Sequence, residues 1–148
     1  MDNGTKQGWI SSEGAAAFIL RLALGALFFM AGLGKFLAPG GALAVSQKLM
    51  DGFADTYLPA SLTWAFLRTL PYVEISLGAI LVIGLFTREC LIICGLLLLS
   101  LAFGMMVKGE HAVVAQNLNY VFMAAIALWL SGRDNRYSLD CLIWRPKK

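Results

Sequence analysis

Residues 90–107 read CLIICGLLLLSLAFGMMV and contain no charged side chain. Three further apolar stretches, 15–34, 70–86 and 112–130, accompany this one along the chain. Each of the four approaches or reaches the roughly 20 residues that a helix needs to cross a bilayer. A water-soluble domain of 148 residues has no core large enough to bury so much apolar helix. The sequence therefore predicts a polytopic membrane protein.

The composition agrees with this interpretation. Hydrophobic residues make up 59% of the chain, charged residues only 14%, and the mean hydropathy is +0.72. Such a balance is typical of membrane proteins, and the segments between the apolar stretches are too short to fold alone. We expect an all-α fold, an integral membrane four-helix bundle that forms one domain over residues 1–148. Its spans are predicted at approximately 15–37, 62–86, 89–107 and 112–131.

A shorter helix is predicted between the first two spans. Residues 39–41, Pro-Gly-Gly, form a strong helix stop after span one. Residues 42–57 then mix apolar and polar side chains at helical spacing. This pattern predicts a short amphipathic extracytoplasmic helix at the membrane interface, with an ordinary connecting loop as the alternative.

The second span has its own signals. Ser61 is a candidate N-cap, and Pro71 falls inside the predicted helix, where it removes a backbone hydrogen bond and favours a kink. Only residues 87–89 separate the second span from the third. This short connection predicts a tight antiparallel hairpin.

The positions of the basic residues predict the orientation. One side of a four-span topology would hold Lys6, Arg21, Arg88, Arg133, Arg136, Arg145, Lys147 and Lys148, and the other Lys35, Lys48, Arg68 and Lys108. The positive-inside rule then places both termini in the cytoplasm. We therefore expect a multi-pass protein of a bacterial or archaeal cytoplasmic (inner) membrane. The basic C-terminus predicts contact with anionic lipid headgroups. Charge at these positions does not indicate nucleic-acid binding, although the net charge is +3.

Polar residues of three spans fall at one predicted depth. Stepping about 21 Å of helix away from the basic residues at the cytoplasmic face reaches Lys35 on span one and Glu74 on span two. On span four the same step reaches Asn119, with Asn117 and Tyr120 beside it. Polar groups inside a membrane are costly and mark candidate functional sites. We therefore predict a Lys35–Glu74 ion pair whose hydrogen bonds are completed by Asn117 and Tyr120.

Two interpretations of this pair stay open. The pair can be a structural clamp, with Lys35 reaching towards the membrane surface. Alternatively, Lys35, Glu74, Asn117 and Tyr120 bind a quinone head group, whose carbonyls need donors and whose reduction needs protons. Glu74 is then the candidate catalytic residue, and Lys35 stabilises the reduced form. His111 and Arg68 are candidates for proton entry from water.

Other residue types indicate packing. Gly25, Gly32 and Gly78 lie on the predicted inward stripes and allow close approach of helix backbones. Cys90 and Cys94 are spaced as a helical i,i+4 pair, for which core packing is the default interpretation and metal binding or redox chemistry the alternative. No metal site, no covalently bound cofactor and no phosphate-binding loop is predicted.

A set of short motifs covers nearly the whole chain. They are Arg21-Leu22-Ala23-Leu24-Gly25, Gly32-Leu33-Gly34-Lys35, Leu70-Pro71-Tyr72-Val73-Glu74, Gly78, Gly84-Leu85-Phe86-Thr87-Arg88, Asn117 and Arg136-Tyr137-Ser138-Leu139-Asp140. In this order the motifs resemble the DoxX family. The resemblance implies a four-helix transmembrane bundle linked to membrane redox chemistry. Related DoxD proteins form the membrane subunit of thiosulfate:quinone oxidoreductase, and other relatives serve in methylamine-utilisation assembly and oxidative-stress defence.

Two functional hypotheses follow. The first is a small, non-catalytic membrane subunit that packs against other membrane subunits of a respiratory, photosynthetic or oxidase-type redox complex. The second is the membrane subunit of a quinone-reducing oxidoreductase, with the quinone beside Lys35, Glu74 and Asn117. In both cases Arg21, Gly25, Gly32, Pro71, Gly78 and Arg88 belong to the structural motif that the resemblance implies.

Overall fold

The computed structural model describes residues 11–133, and this part of the chain folds into helices without any strand. The helices are α1 (Ser12–Leu37), α2 (Gly41–Asp51), α3 (Ala60–Ile83), α4 (Thr87–Val107) and α5 (His111–Arg133). All except α2 are long and apolar enough to cross a membrane. The predicted all-α membrane bundle with a short helix after its first span is confirmed.

The helix ends differ from the predicted ones where capping residues determine them. The first helix begins at Ser12, because the Ser11 hydroxyl accepts a hydrogen bond of 3.0 Å from the Gly14 N–H. Ser61 is not an N-cap, since α3 already begins at Ala60. The same helix ends at Ile83 and not at residue 86. Its C-cap, Gly84, has a φ of 81°, a left-handed conformation that glycine adopts readily.

The amphipathic segment is helical over a shorter range than 42–57. The α2 helix ends at Asp51, and turns lead from there to Pro59. Ala42 and Ser46, one helical turn apart, are its buried residues, while Gln47 and Lys48 are exposed. One face of α2 therefore packs on the bundle, mainly against α3.

The four spans pack as two pairs, each made of consecutive spans. The α1 helix has its most extensive contacts with α3, and α4 has its own with α5, while α1 also contacts α5. In contrast, α3 and α4 touch little, although only residues 84–86 connect them. The predicted short connection between them is confirmed, but the two helices do not pack closely along their length, because α3 packs mainly against α1 and α4 mainly against α5.

The core lies among the spans and the outer surface is apolar. The main cluster of buried residues contains Leu24, Phe28, Leu77, Leu81, Cys90, Leu91, Cys94, Leu98, Ala124 and Ala127. Large side chains such as Ile19, Phe122 and Trp129 are more than half exposed. In water so much exposed apolar surface would cause aggregation, whereas lipid chains cover it. The chain is therefore a multi-pass membrane protein.

Candidate functional site

Close contact between α1 and α3 positions the central pair of charged residues. A Cβ on Gly78 would lie 2.3 Å from the Phe29 nitrogen, and one on Gly32 would lie 2.6 Å from the Ile75 nitrogen. Only residues without a side chain permit such backbone contact in a membrane bundle. The glycines were predicted to allow this approach, and the structure confirms it.

Lys35 and Glu74 form an ion pair across this interface. Lys35 Nζ donates a hydrogen bond to Glu74 Oε2, and the side chains are 20% and 5% exposed. Lys35 is in the last turn of α1, where a cation interacts favourably with the carbonyl end of the helix. A lone carboxylate inside a membrane span would be expensive, so the lysine compensates it. The predicted pair is confirmed; its role stays a prediction.

A cavity of about 760 Å³ opens beside the ion pair, in the space between α3 and α4. Its lining residues are Lys35, Leu49, Phe53, Leu58, Leu62, Thr63, Phe66, Leu67, Leu70, Glu74, Leu96, Leu99, Ser100, Leu101, Phe103, Gly104, Met105, Val113 and Asn117. The walls are mostly leucine and phenylalanine, while Lys35, Glu74 and Asn117 provide charge and an amide. This volume is in the usual range for small-molecule sites.

The amide of Asn117 is available for a ligand. It lines the cavity and is half-buried, and no hydrogen bond joins it to another residue between 11 and 133. An amide offers two N–H donors and one carbonyl acceptor. Together with the Lys35 ammonium, it gives the polar end of the cavity donors for a carbonyl or anionic group.

The proline in α3 creates a further contact near the cavity. Pro71 has no N–H, so the carbonyl of Leu67, four residues earlier, loses its partner within the helix. The Ser46 hydroxyl of α2 lies 2.9 Å from that carbonyl oxygen and also 2.9 Å from the carbonyl oxygen of Ala42. Ser46 therefore joins α2 to α3 at the carbonyl that the proline leaves free. Sequence reasoning did not find Ser46. A usable signal was present in Leu67, because the carbonyl four residues before a proline needs a donor from elsewhere.

An aromatic contact covers the end of the cavity nearest α2. The Lys108 ammonium, after α4, lies 5.2 Å from the centre of the Phe53 ring, which follows α2. This is within the range of a cation–π interaction. Because Phe53 lines the cavity, the contact links the α2 side of the cavity to the end of α4.

Three predicted site residues lie elsewhere. Tyr120 does not line the cavity; its hydroxyl accepts a hydrogen bond of 2.9 Å from Gln116 Nε2, and its ring packs against the core. Tyr120 and Asn117 were predicted to complete the hydrogen bonds of the ion pair, and within the described residues neither does. His111 and Arg68 are exposed and also outside the cavity lining, so the structure does not place them beside Glu74.

The two motif arginines and the two cysteines differ in their surroundings. Arg21 is buried, with its guanidinium 5.3 Å from the Phe18 ring centre and in contact distance of Gly84 in the α3–α4 turn. Arg88, by contrast, is exposed. Cys90 and Cys94 are free thiols in the core cluster. No group of three or more metal-ligating side chains occurs in the described part of the chain.

Fold and site together define a small four-span membrane protein with a partly buried ion pair at the edge of a cavity between two of its spans. The family model described as methylamine utilisation protein MauE matches residues 13–112, which include nearly all of α1 and the whole of α2, α3 and α4. The chain belongs to the MauE family. No curated protein and no solved structure matches it.

This match corrects the DoxX resemblance. The matching family is MauE, so the assignment to DoxX was wrong, and the thiosulfate-linked activity that rested on it is withdrawn. The DoxX-like motifs consist largely of glycine and leucine at helix spacing, a pattern that many packed membrane helices share. Lys35 and Glu74 lie in the matched range, whereas Asn117 and Tyr120 follow it. The motif at 136–140 lies outside the described residues.

Proposed function

We propose that this chain is a small, non-catalytic membrane subunit of a redox system that serves the utilisation of methylamine or a related amine. Membership of the MauE family carries this proposal. An amine is degraded by oxidation, which releases electrons that must reach an acceptor. A four-span protein of such a system has its large apolar surface available for neighbouring membrane subunits.

Purification from native membranes tests this proposal. The full chain with a C-terminal tag is extracted in mild detergent from cells grown with methylamine and from cells grown with ammonium, and bound proteins are identified by mass spectrometry. We expect redox proteins in stoichiometric amounts after growth on methylamine. An unrelated tagged four-span protein is the control. Recovery of the chain without redox proteins under both conditions contradicts the proposal.

The orientation in the membrane is also proposed. In support of this orientation, Arg21 and Arg88 lie near the end of the bundle at Gly84, and Lys108 lies near the opposite end with α2. The basic residues at 136–148 and their expected contact with anionic lipids lie outside the described residues, but their sequence supports a cytoplasmic C-terminus. We expect a cytoplasm-specific reporter fused after Lys148 to be active; activity only of a periplasmic reporter contradicts this orientation in a cytoplasmic (inner) membrane.

A second candidate function is the binding of a quinone or a similar lipid-soluble carbonyl compound. The cavity favours it, because apolar walls from α3 and α4 lead to a polar end made by Lys35, Glu74 and Asn117. In this arrangement Lys35 and Asn117 donate hydrogen bonds to carbonyl oxygens, and Glu74 accepts one from a hydroxyl or holds a proton. Since α3 and α4 touch little, we expect the molecule to enter sideways from lipid.

Binding of a quinone is measured on the purified chain in nanodiscs. A short-chain quinone is titrated, and binding is followed by calorimetry for the wild type, Glu74→Gln and Glu89→Gln. Glu89 is an exposed carboxylate of α4 outside the cavity and provides the matched control. We expect Glu74→Gln to weaken binding at least tenfold and Glu89→Gln to leave it unchanged. Equal affinities in all three proteins, or no binding by the wild type, contradict this function.

A further inference from the structure

Polar side chains on α5 point in two directions. Gln116, Asn117, Asn119 and Tyr120 are close together in the sequence, yet only Asn117 lines the cavity. Asn119 is exposed on the opposite side of the helix, away from the buried residues Val114 and Ala124. The bundle itself therefore does not use the Asn119 amide.

The depth of Asn119 makes its exposure significant. It lies about 12 Å along the helix from His111, in a span about 35 Å long. The hydrocarbon region of a bilayer is about 30 Å thick. Asn119 is therefore within the hydrocarbon, where water does not reach its amide and lipid chains offer neither donors nor acceptors.

Three other exposed polar side chains of the spans are satisfied within the chain. Thr69 and Ser100 donate to carbonyl oxygens of their own helices, at 2.9 Å in each case. The Gln116 amide donates to the Tyr120 hydroxyl at 2.9 Å. For Asn119, no hydrogen bond links its amide to any residue of the 11–133 range. An amide left without a partner in lipid is costly, so this one requires a partner beyond the described residues 11–133.

We infer that a second copy of this chain provides that partner, and that the protein forms a dimer through α5. An amide is both donor and acceptor, so two Asn119 side chains related by a two-fold axis bond each other reciprocally. Two copies inserted in the same orientation also carry Asn119 at the same depth, a match that an arbitrary partner helix would have to achieve separately.

The neighbouring side chains suit a helix contact. Ala115, one turn before Asn119, and Phe122, one turn after it, share its face and are exposed. The small Ala115 side chain allows another helix to approach, and the Phe122 ring, 66% exposed, provides apolar area beside it. Dimerisation through this face leaves the cavity between α3 and α4 open and does not depend on any ligand there.

Energy transfer in lipid vesicles tests the dimer. Full-length copies labelled with donor or acceptor at the C-terminus are mixed, and transfer is followed as the lipid-to-protein ratio rises. We expect the wild type to show transfer that declines on dilution, and Asn119→Leu to weaken association at least tenfold. Asn119→Gln should retain most of the association, because the amide is kept. Ser76→Leu, at an exposed position of α3, is the matched control and should change nothing.

Cysteine crosslinking provides a second measurement that keeps Asn119 in place. In a chain carrying Cys141→Ser, Ala115→Cys should form an intermolecular disulfide on mild oxidation, whereas Ser76→Cys should not. The dimer is refuted if wild-type chains show no transfer or if Asn119→Leu associates as strongly as the wild type. It is refuted as well if Ala115→Cys links to a different membrane protein and not to its own copy, because a partner subunit then occupies the face.

Discussion

The α3 helix packs closely against α1 and only loosely against α4. Towards α1 the backbones touch at Gly78 and Gly32, and a partly buried ion pair joins the two helices. Towards α4, α3 makes little contact, and a cavity of about 760 Å³ lies between the two helices. The span joined to α3 by the long connection that contains α2 is thus packed tightly against it, and the span joined by a short turn is not. In a membrane, small residues and paired charges determine contact more than connectivity does.

The largest expected effect comes from placing a side chain in the tight interface. Gly78→Leu would drive its Cβ into the Phe29 backbone, 2.3 Å away, and flexible side-chain adjustment cannot relieve that clash. We expect a loss of about 3 kcal/mol or more in the free energy of unfolding, measured in detergent. Gly95→Leu on α4 is the control, since apart from the backbone of its own helix turn and its chain neighbours no described atom lies within 4 Å of its added Cβ. Equal losses for the two variants would show that the backbones are not in contact.

Breaking the ion pair is expected to have the second-largest effect on the free energy of unfolding. Lys35→Met leaves Glu74 buried without its cation, and such a change costs about 3 kcal/mol. The double variant Lys35→Met/Glu74→Leu removes both charges and should recover more than half of this loss. Lys48→Met, at an exposed lysine of α2, is the control. If the double variant is as unstable as Lys35→Met alone, the loss is one of packing and not of an unpaired charge.

The bond between α2 and α3 should have a smaller effect. Ser46→Ala leaves the Leu67 carbonyl without a partner, which costs about 1–2 kcal/mol. Pro71→Ala restores an N–H that can bond this carbonyl within the helix. We therefore expect Ser46→Ala to cost clearly less in the Pro71→Ala background, as measured by a double-mutant cycle. Additive losses in that cycle would show that the serine and the proline are not coupled.

The cation–π contact between Lys108 and Phe53 should contribute least to the free energy of unfolding. Lys108→Met removes the cation from the Phe53 ring, a loss of about 0.5–1 kcal/mol. The same loss should disappear in a Phe53→Leu background, because no aromatic ring remains to be contacted. A loss that is unchanged in that background would assign the effect of Lys108 to a different contact.

The sequence was sufficient for the spans and for the ion pair. Apolar length is a local property, and a charge inside a span needs a partner, so Lys35 and Glu74 could be matched by depth. The direction of a side chain was harder to predict. Tyr120 and Asn117 lie nearly on one face, yet the long tyrosine side chain packs into the core and only the shorter amide reaches the cavity.

The cavity itself could not be predicted from the sequence. It arises because α3 and α4 diverge from their short connection, and that divergence depends on which helices the other faces contact. The helix ends were misplaced for a similar reason, since Gly84 ends α3 through a left-handed backbone conformation. The family assignment failed because glycine and leucine motifs are shared among packed membrane helices, and a match over residues 13–112 was needed to correct it.

The central claim, that α3 borders a cavity along its first half and a filled core along its second half, is tested most directly by two tryptophan variants. Leu70 and Leu77 lie seven residues apart on one face of α3, and both are buried, at 4% and 6% exposure. Leu70 lines the cavity and belongs to a small cluster with Phe53 and Leu67, whereas Leu77 does not line the cavity and belongs to the main core cluster. The measurement is the free energy of unfolding of Leu70→Trp and Leu77→Trp in the same detergent. We predict that Leu70→Trp stays within about 1 kcal/mol of the wild type and Leu77→Trp loses about 3 kcal/mol. Equal losses would contradict the claim.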